Sequence, residues 1–289
     1  MKKTKNLAGR SAMGLVMFRF RKNKLAIIGL IILGIMILSI LAAPLFVSYD
    51  KVIRQNFQNR FATPNSRNLF GTDEYGRDLF ARILYGGRIS LFGGLGVVAL
   101  TFVIGIFLGG IAGYFGAKTD TIVMRIVDIF MAIPPTLLSM AIVTALGHGV
   151  DRLIIAVAIG MAPRFARIVR ASILNLRNME YIEAARCYGA SSIRIISKHV
   201  LPNGMGPIIV AATLTLGQAI ISISAMGFLG LGVASPTPEW GTILSESKIH
   251  IRSFPHLGII PGICIGLAVM SVNFIGDGLR DAFDPRTKN

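Results

Sequence analysis

Charge is what this sequence has least of: Asp, Glu, Lys and Arg together make up 15% of its 289 residues, where soluble domains carry roughly a quarter. A chain so poor in charge does not cover an ordinary globular fold with polar surface. Its 53% hydrophobic content and mean hydropathy of +0.65 indicate a membrane protein instead. Cysteine is nearly absent too. Cys187 and Cys264 offer neither the number nor the spacing of a disulfide framework or a metal cluster. The four histidines, His148, His199, His250 and His256, are scattered without ligand spacing. No H-E-x-x-H, G-x-S-x-G or Walker A pattern occurs, so neither a hydrolytic site nor a nucleotide cradle assembles. The glycines of "GFLGLG" at Gly227 to Gly232 lie in an apolar run, where helix packing explains them. A cleavable leader is not expected either. Met1 to Lys24 is basic, but the apolar run behind it is too long for a leader and lacks a small-residue cleavage site, so it reads as a retained anchor.

What is present is a surplus of one sign. The net charge of +16 falls in short basic blocks between apolar runs, the distribution of cytoplasmic loops rather than of a nucleic-acid surface. A spanning helix needs about 20 apolar residues. Leu25 to Val47, Ile89 to Ala117, Ile129 to Val150 and Ser253 to Gly276 qualify, as does Ile208 to Val233 after a break at "LPNGMGP". A sixth is placed at Asp151 to Leu174, with Arg164, Arg167 and Arg170 snorkelling at its cytoplasmic end. Six spans put three basic segments on one side: the tail before Leu25, the stretch Arg164 to Lys198, and Arg280, Arg286 and Lys288. The expected fold is therefore an all-α integral membrane protein with both termini in the cytoplasm. The loop Asp50 to Arg88 carries seven basic residues on the outside, which runs against the rule. Gly105, Gly109, Gly113 and Ala117 share one helix face, and Gly258, Gly262 and Gly266 another; both are expected to pack inside the bundle. Pro134 and Pro135 are expected to kink the third span. Arg125 and Asp128 are expected to pair within their helix.

One stretch is out of keeping with its surroundings: "YIEAARCYGASSIRIISKHVLPN", Tyr181 to Asn203. Tyr181 and Tyr188 fall seven apart, and Ile193, Ile196 and Val200 repeat a helical spacing, so two short amphipathic helices are expected. Gly189 bends the chain between them and Pro202 ends the second. Such a pair either lies on the headgroups or docks into a cytoplasmic partner.

"EAARCYGA" followed by "LP" resembles the coupling loop of the permease subunits of bacterial ABC importers. "LFGTDEYGRDLFARILYGGRISL", "APRFARIVRASILNLRNMEYIEAAR" and "GFLGLGVASPTPEWGTIL" are similar to the branch that imports peptides, nickel and related ligands, and to its C-type permease in particular. The resemblance implies a type I importer permease fold. It divides the chain into a cytoplasmic tail (1–24), a first span with an outer loop (25–87), a permease core (88–280) holding the coupling loop 175–203, and a cytoplasmic tail (281–289). It implies no enzymatic activity and no cofactor in this chain, ATP and Mg being bound by two partner ATPase subunits. A homologous second permease, membrane lipid and an extracytoplasmic binding protein complete the expected partners.

Carried onto this sequence, the coupling residues are Glu183, Ala184, Ala185, Gly189, Leu201 and Pro202. Thr215, Ser222, Ser224 and Asn273 interrupt apolar helices and are candidates to line the pathway; equally, their hydroxyls bond to their own helix backbone. Asp73, Arg77, Asp78 and Trp240 are candidate binding-protein contacts on a delivery surface formed by Asp50 to Arg88 with Pro236 to Phe254, Trp240 standing either in the interfacial aromatic belt or over the pathway's mouth. Di- or oligopeptides are the expected cargo, with nickel, a metal chelate or glutathione as alternatives. A secondary transporter is the rival class, disfavoured because no proton-relay constellation occurs.

Overall fold

The computed structural model describes residues 12–284. The basic residues of the two tails before 12 and after 284, Arg286 and Lys288 among them, lie outside that range. Among the described residues no strand forms, and a single antiparallel bridge joins Thr72 to Asp78. Helices satisfy their own backbone groups, as apolar surroundings demand.

A short helix α1 (Ala12–Phe20) turns into α2 (Lys24–Leu41), whose cap is Asn23: its side chain accepts the Ala26 N–H at 3.1 Å. Residues 42–78 form a long connecting segment with two single-turn α-helices, Ala43–Phe46 and Asp50–Ile53. Helix α3 (Leu79–Phe115) begins there, ten residues earlier than the apolar pattern predicts. Asp78 caps it by accepting from Ala81 N at 2.9 Å, and a π-helical turn, Arg88–Phe92, interrupts it. Next come α4 (Ala117–Met131) and α5 (Pro135–Leu146). The expected single kinked span is instead two helices meeting at 84°, because Pro134 and Pro135 in succession remove two helical donors and Pro135 restarts the helix as its first residue. Helix α6 (Val150–Leu174) covers the residues of the expected sixth segment, but it is not among the helices that qualify by length and composition to cross a membrane. Then follow α7 (Glu180–Cys187), α8 (Ser192–Phe228), α9 (Trp240–Ser247) and α10 (His256–Phe283).

Helix α8 corrects a second expectation. Pro202 does not end a helix but lies within one that runs unbroken from Ser192. A π-helical segment, Ile196–Val200, directly precedes it. The extra residue per turn there takes up the missing donor and the ring clash that a proline brings to regular α-helix.

Helices α2, α3, α8 and α10 are long and apolar enough to cross a bilayer, and α4 with α5 make a fifth if the bent pair is one span. The glycine face of α3 packs inside the chain as expected: a Cβ on Gly105, Gly109 or Gly113 would strike Phe165, the Ala166 carbonyl or Ile173 of α6. Ala117 is not on that face; it opens α4 with φ +43°. Nor do Gly262 and Gly266 form an internal seam, since a Cβ on either would meet no other part of the chain within 4 Å. Asp128 pairs with Arg167 of α6 at 2.6 Å, in place of the expected pairing with Arg125.

Candidate functional site

Three regions carry the polar chemistry. The first is the loop at the start of α8. Ile182 of α7 is fully buried with Ile195, Val200 and Ile208 of α8 and with Ile173 of α6. The buried face of the second piece is therefore Ile195 and Val200, while Ile193, expected to share it, is 80% exposed. Between the pieces, Gly189 adopts φ +75°. Its N–H donates to the Arg186 carbonyl at 2.9 Å and the Ala190 N–H to the Ala185 carbonyl at 3.1 Å. These are the two bonds of a Schellman C-cap, with glycine at its left-handed position and two small residues, Ala185 and Ala190, closing the apolar contact beneath. Ser191 caps the next helix by accepting from Arg194 N. Outward, Glu183, Ala184 and Pro202 are exposed, Tyr188 is 92% exposed, and Leu201 is half-buried at the base. Arg186 lies over the Tyr114 ring at 5.5 Å.

The second region is the segment that leads into α3. Arg77 Nε donates to Asp73 Oδ2 at 2.6 Å and Arg77 Nη2 to Glu246 Oε2 at 2.8 Å. Arg82 Nη1 donates to the same two oxygens at 2.5 and 2.6 Å. Both arginines are buried, so two of the seven cations that opposed the topology are neutralised internally; Arg88 lies over the Tyr85 ring. The loop folds back on itself through Asp73, Arg77 and Asp78 as its alternating charges suggest. The consequence for recognition is the reverse of that expected. Asp73, Arg77, Asp78 and Trp240 are all buried and present no side chain to a docking protein. Trp240 is neither in a membrane belt nor over an opening: its Nε1 donates to the Ile83 carbonyl at 2.9 Å inside the core.

Sequence reasoning missed the acid next to it. Glu239 is fully buried and caps α9, accepting from Gly241 N and Thr242 N at 2.9 Å, from Ser90 Oγ at 2.9 Å and from Ser224 Oγ at 3.2 Å. Burial holds its carboxyl above the ordinary range, against the backbone donors of Gly241 and Thr242 and the hydroxyls of Ser90 and Ser224, which pull it down. The signal was there: Glu239 is the acid placed directly before a helix start in "SPTPEW". Glu246, 169 residues from Arg77, had no local signal. Ser224, expected on the pathway, is thereby committed to Glu239 and buried.

The third region is a cavity of about 430 Å³ where α5, α6 and α8 meet, lined by Pro135, Arg164, Thr215, Gln218 and Ser222 among others. The elements close behind it because Gly160 lies so near α5 that a Cβ would come within 2.5 Å of Ser139 Oγ. Thr215 Oγ1 also donates to the Ala211 carbonyl at 2.7 Å, the bond to its own helix backbone that was expected. Asn273 lies elsewhere, in a groove of about 380 Å³ on α10 with Asp277 and Gly266. Gln218 and Arg164 were not expected in a lining role.

A family model described as binding-protein-dependent transport system inner membrane component matches residues 105–289, and one described as the N-terminal TM domain of oligopeptide transport permease C matches residues 11–64. The chain is 47% identical to the dipeptide transport system permease protein DppC of Alkalihalophilus pseudofirmus, over 94% of this chain and 89% of that one. It is 41% identical to the oligopeptide transport system permease protein OppC of Bacillus subtilis, over 94% and 89%. Against the glutathione transport system permease protein GsiD of Escherichia coli the figures are 40%, 93% and 89%. In fold it is similar to a chain of the MetNI methionine ABC transporter in an inward facing conformation, with a TM-score of 0.59 and 24% identity over 70% of this chain and 97% of that one.

Proposed function

The chain belongs to the family of binding-protein-dependent transport inner membrane components, a multi-pass protein of the inner membrane, and from that membership we propose that it forms half of a peptide pathway and couples that pathway to ATP hydrolysis by partner subunits. The observation that carries the coupling is the continuity of α8. The exposed Glu183–Tyr188 surface and the Gly189 cap are fastened to its first turns through Ile182, Ile195 and Val200, and the same helix lines the cavity with Thr215, Gln218 and Ser222. From Ser192 to Thr215 is about 34 Å at about 1.5 Å per residue. A push at one end therefore reaches the cavity along one continuous helix.

The topology that suits this arrangement has six crossings and both termini inside: α2, α3, the bent pair α4 and α5, α6, α8 and α10. The outer loop and the segment around α9 then face the binding protein, and the loop 175–203 faces the ATPases. The delivery surface is the exposed rim of the outer loop, Lys51 to Arg67, rather than the buried Asp73, Arg77, Asp78 and Trp240 beneath it. ATP and Mg are held by two partner subunits, and a homologous second permease supplies the other half of the pathway. Di- or oligopeptides are the cargo that the DppC and OppC relatives favour; glutathione, itself a peptide, is the second reading, from the GsiD relative. The test is uptake of labelled dialanine into proteoliposomes. Transport is expected only when this chain is joined by the second permease, two ATPase subunits, ATP and the binding protein. Uptake by this chain alone on an ion gradient would replace the reading with that of a secondary carrier.

A further inference from the structure

Arg164, Arg167 and Arg170 stand one turn apart along α6. Each costs about 2.5–3.5 kcal/mol at the centre of a membrane helix on insertion scales, so each needs a reason. Two have one in α4. Arg170 forks onto both oxygens of Asp120, and Arg167 Nη2 donates to Asp128 Oδ1 at 2.6 Å. The ladder then stops. Helix α4 ends at Met131, before another turn that would face Arg164, and the chain bends by 84° into α5. Among the described residues no carboxylate lies within ion-pair distance of Arg164.

Its side chain is exposed and lines the cavity of about 430 Å³, which Thr215, Gln218 and Ser222 of α8 also line. That volume is in the range of small-ligand sites, about 300–1,000 Å³. A guanidinium free of an acid takes a carboxylate through two parallel N–H bonds. A primary amide in the same cavity, that of Gln218, both donates and accepts, which is what a peptide group requires. We propose that Arg164 receives the α-carboxylate of a translocating peptide, with Gln218 engaging the neighbouring peptide group. This rests on the reading of the chain as a peptide permease. A lipid phosphate is the other oxyanion source, and the geometry disfavours it. Arg164 lies ten residues, or about 15 Å, inside the Leu174 end of α6. Arg170 and Arg167 stand between it and that end, nearer to where headgroups lie.

The test uses the full importer with its binding protein in proteoliposomes, comparing wild type, R164Q and R164K on dialanine and its C-terminal amide. Because the binding protein is the same throughout, its own preference cancels when the acid-to-amide ratio of initial rates is compared between variants. R164Q is expected to lower that ratio about 10-fold or more, the effect of losing a charged hydrogen-bond pair, and R164K to restore part of it. Assembled complex recovered by size exclusion reports folding, and R164K serves if R164Q fails to assemble. An unchanged ratio, with both peptides slowed alike, overturns the inference and leaves the permease reading standing. An effect of R164Q that vanishes when anionic lipid is replaced by phosphatidylcholine assigns Arg164 to a headgroup and overturns it as well. Wild-type vesicles that carry neither peptide overturn the permease reading and the inference together.

Discussion

Replacing Gly189 by valine isolates backbone conformation from contact. A Cβ at this position meets nothing within 4 Å, so no steric repacking follows. What remains is φ +75°, which disfavours an L-residue by about 1–2 kcal/mol, at the upper end for a β-branched one. If the Schellman-capped form is the one an ATPase subunit grips, its population falls by about 5–30-fold relative to other loop conformations, since about 1.4 kcal/mol is tenfold. Asparagine tolerates the left-handed region far better, so Gly189→Asn should lose no more than a few-fold. The assay is ATPase activity stimulated by loaded binding protein in nanodiscs, with co-purification of the ATPase subunits as a second reading. The expected order is Gly, then Asn, then Val, with membrane insertion equal in all three. Equal activity in the Val variant removes the bend from the mechanism. Equal loss in the Asn and Val variants refutes the conformational argument and makes the bare glycine surface itself the contact.

Glu246→Ala leaves Arg77 and Arg82 sharing one carboxylate, Asp73, in a buried site; since the Glu246 side chain is itself 18% accessible, the loss should fall at or below the lower end of about 3–5 kcal/mol, read as a lowered melting temperature of the purified protein. Glu239 is held above its ordinary value of 4.5 by burial, so the folded state prefers it protonated: its contribution is fully present below that value and is lost as pH rises through the raised one, and Glu239→Gln should flatten this part of the stability–pH curve measured by thermal melts. Cysteine placed at Ser66 should react with an impermeant maleimide added outside, and at Ser191 only from inside; labelling of position 191 from outside would overturn the six-crossing topology. Thr287, a natural third probe, lies outside the described residues.

Several features follow from local sequence alone. Long apolar runs make α2, α3, α8 and α10 membrane helices, because in lipid an uncharged run of that length has no other stable form. The bend at Gly189 and the small residues around it are equally local, since a Schellman cap is closed by neighbours within one turn. The glycine face of α3 was legible as packing for the same reason: its period is that of a helix face. Other decisions were made across the chain. Whether Asp128 pairs with Arg125 or with Arg167, whether Ser224 lines a path or donates to Glu239, and whether Arg77 meets a partner or is sealed against Glu246 each depend on another element of the fold. The prolines illustrate the boundary best. Locally, Pro134 with Pro135 and Pro202 carry the same message, an interruption. The structure turns the first into an 84° bend and absorbs the second in a π-helical turn. Buried packing on either side, Ile195 and Val200 before Pro202 and Ile208 after it, holds α8 together through its defect. Around the first pair Ile133, Pro134, Pro135 and Leu137 are all exposed, so no comparable packing holds α4 and α5 in line.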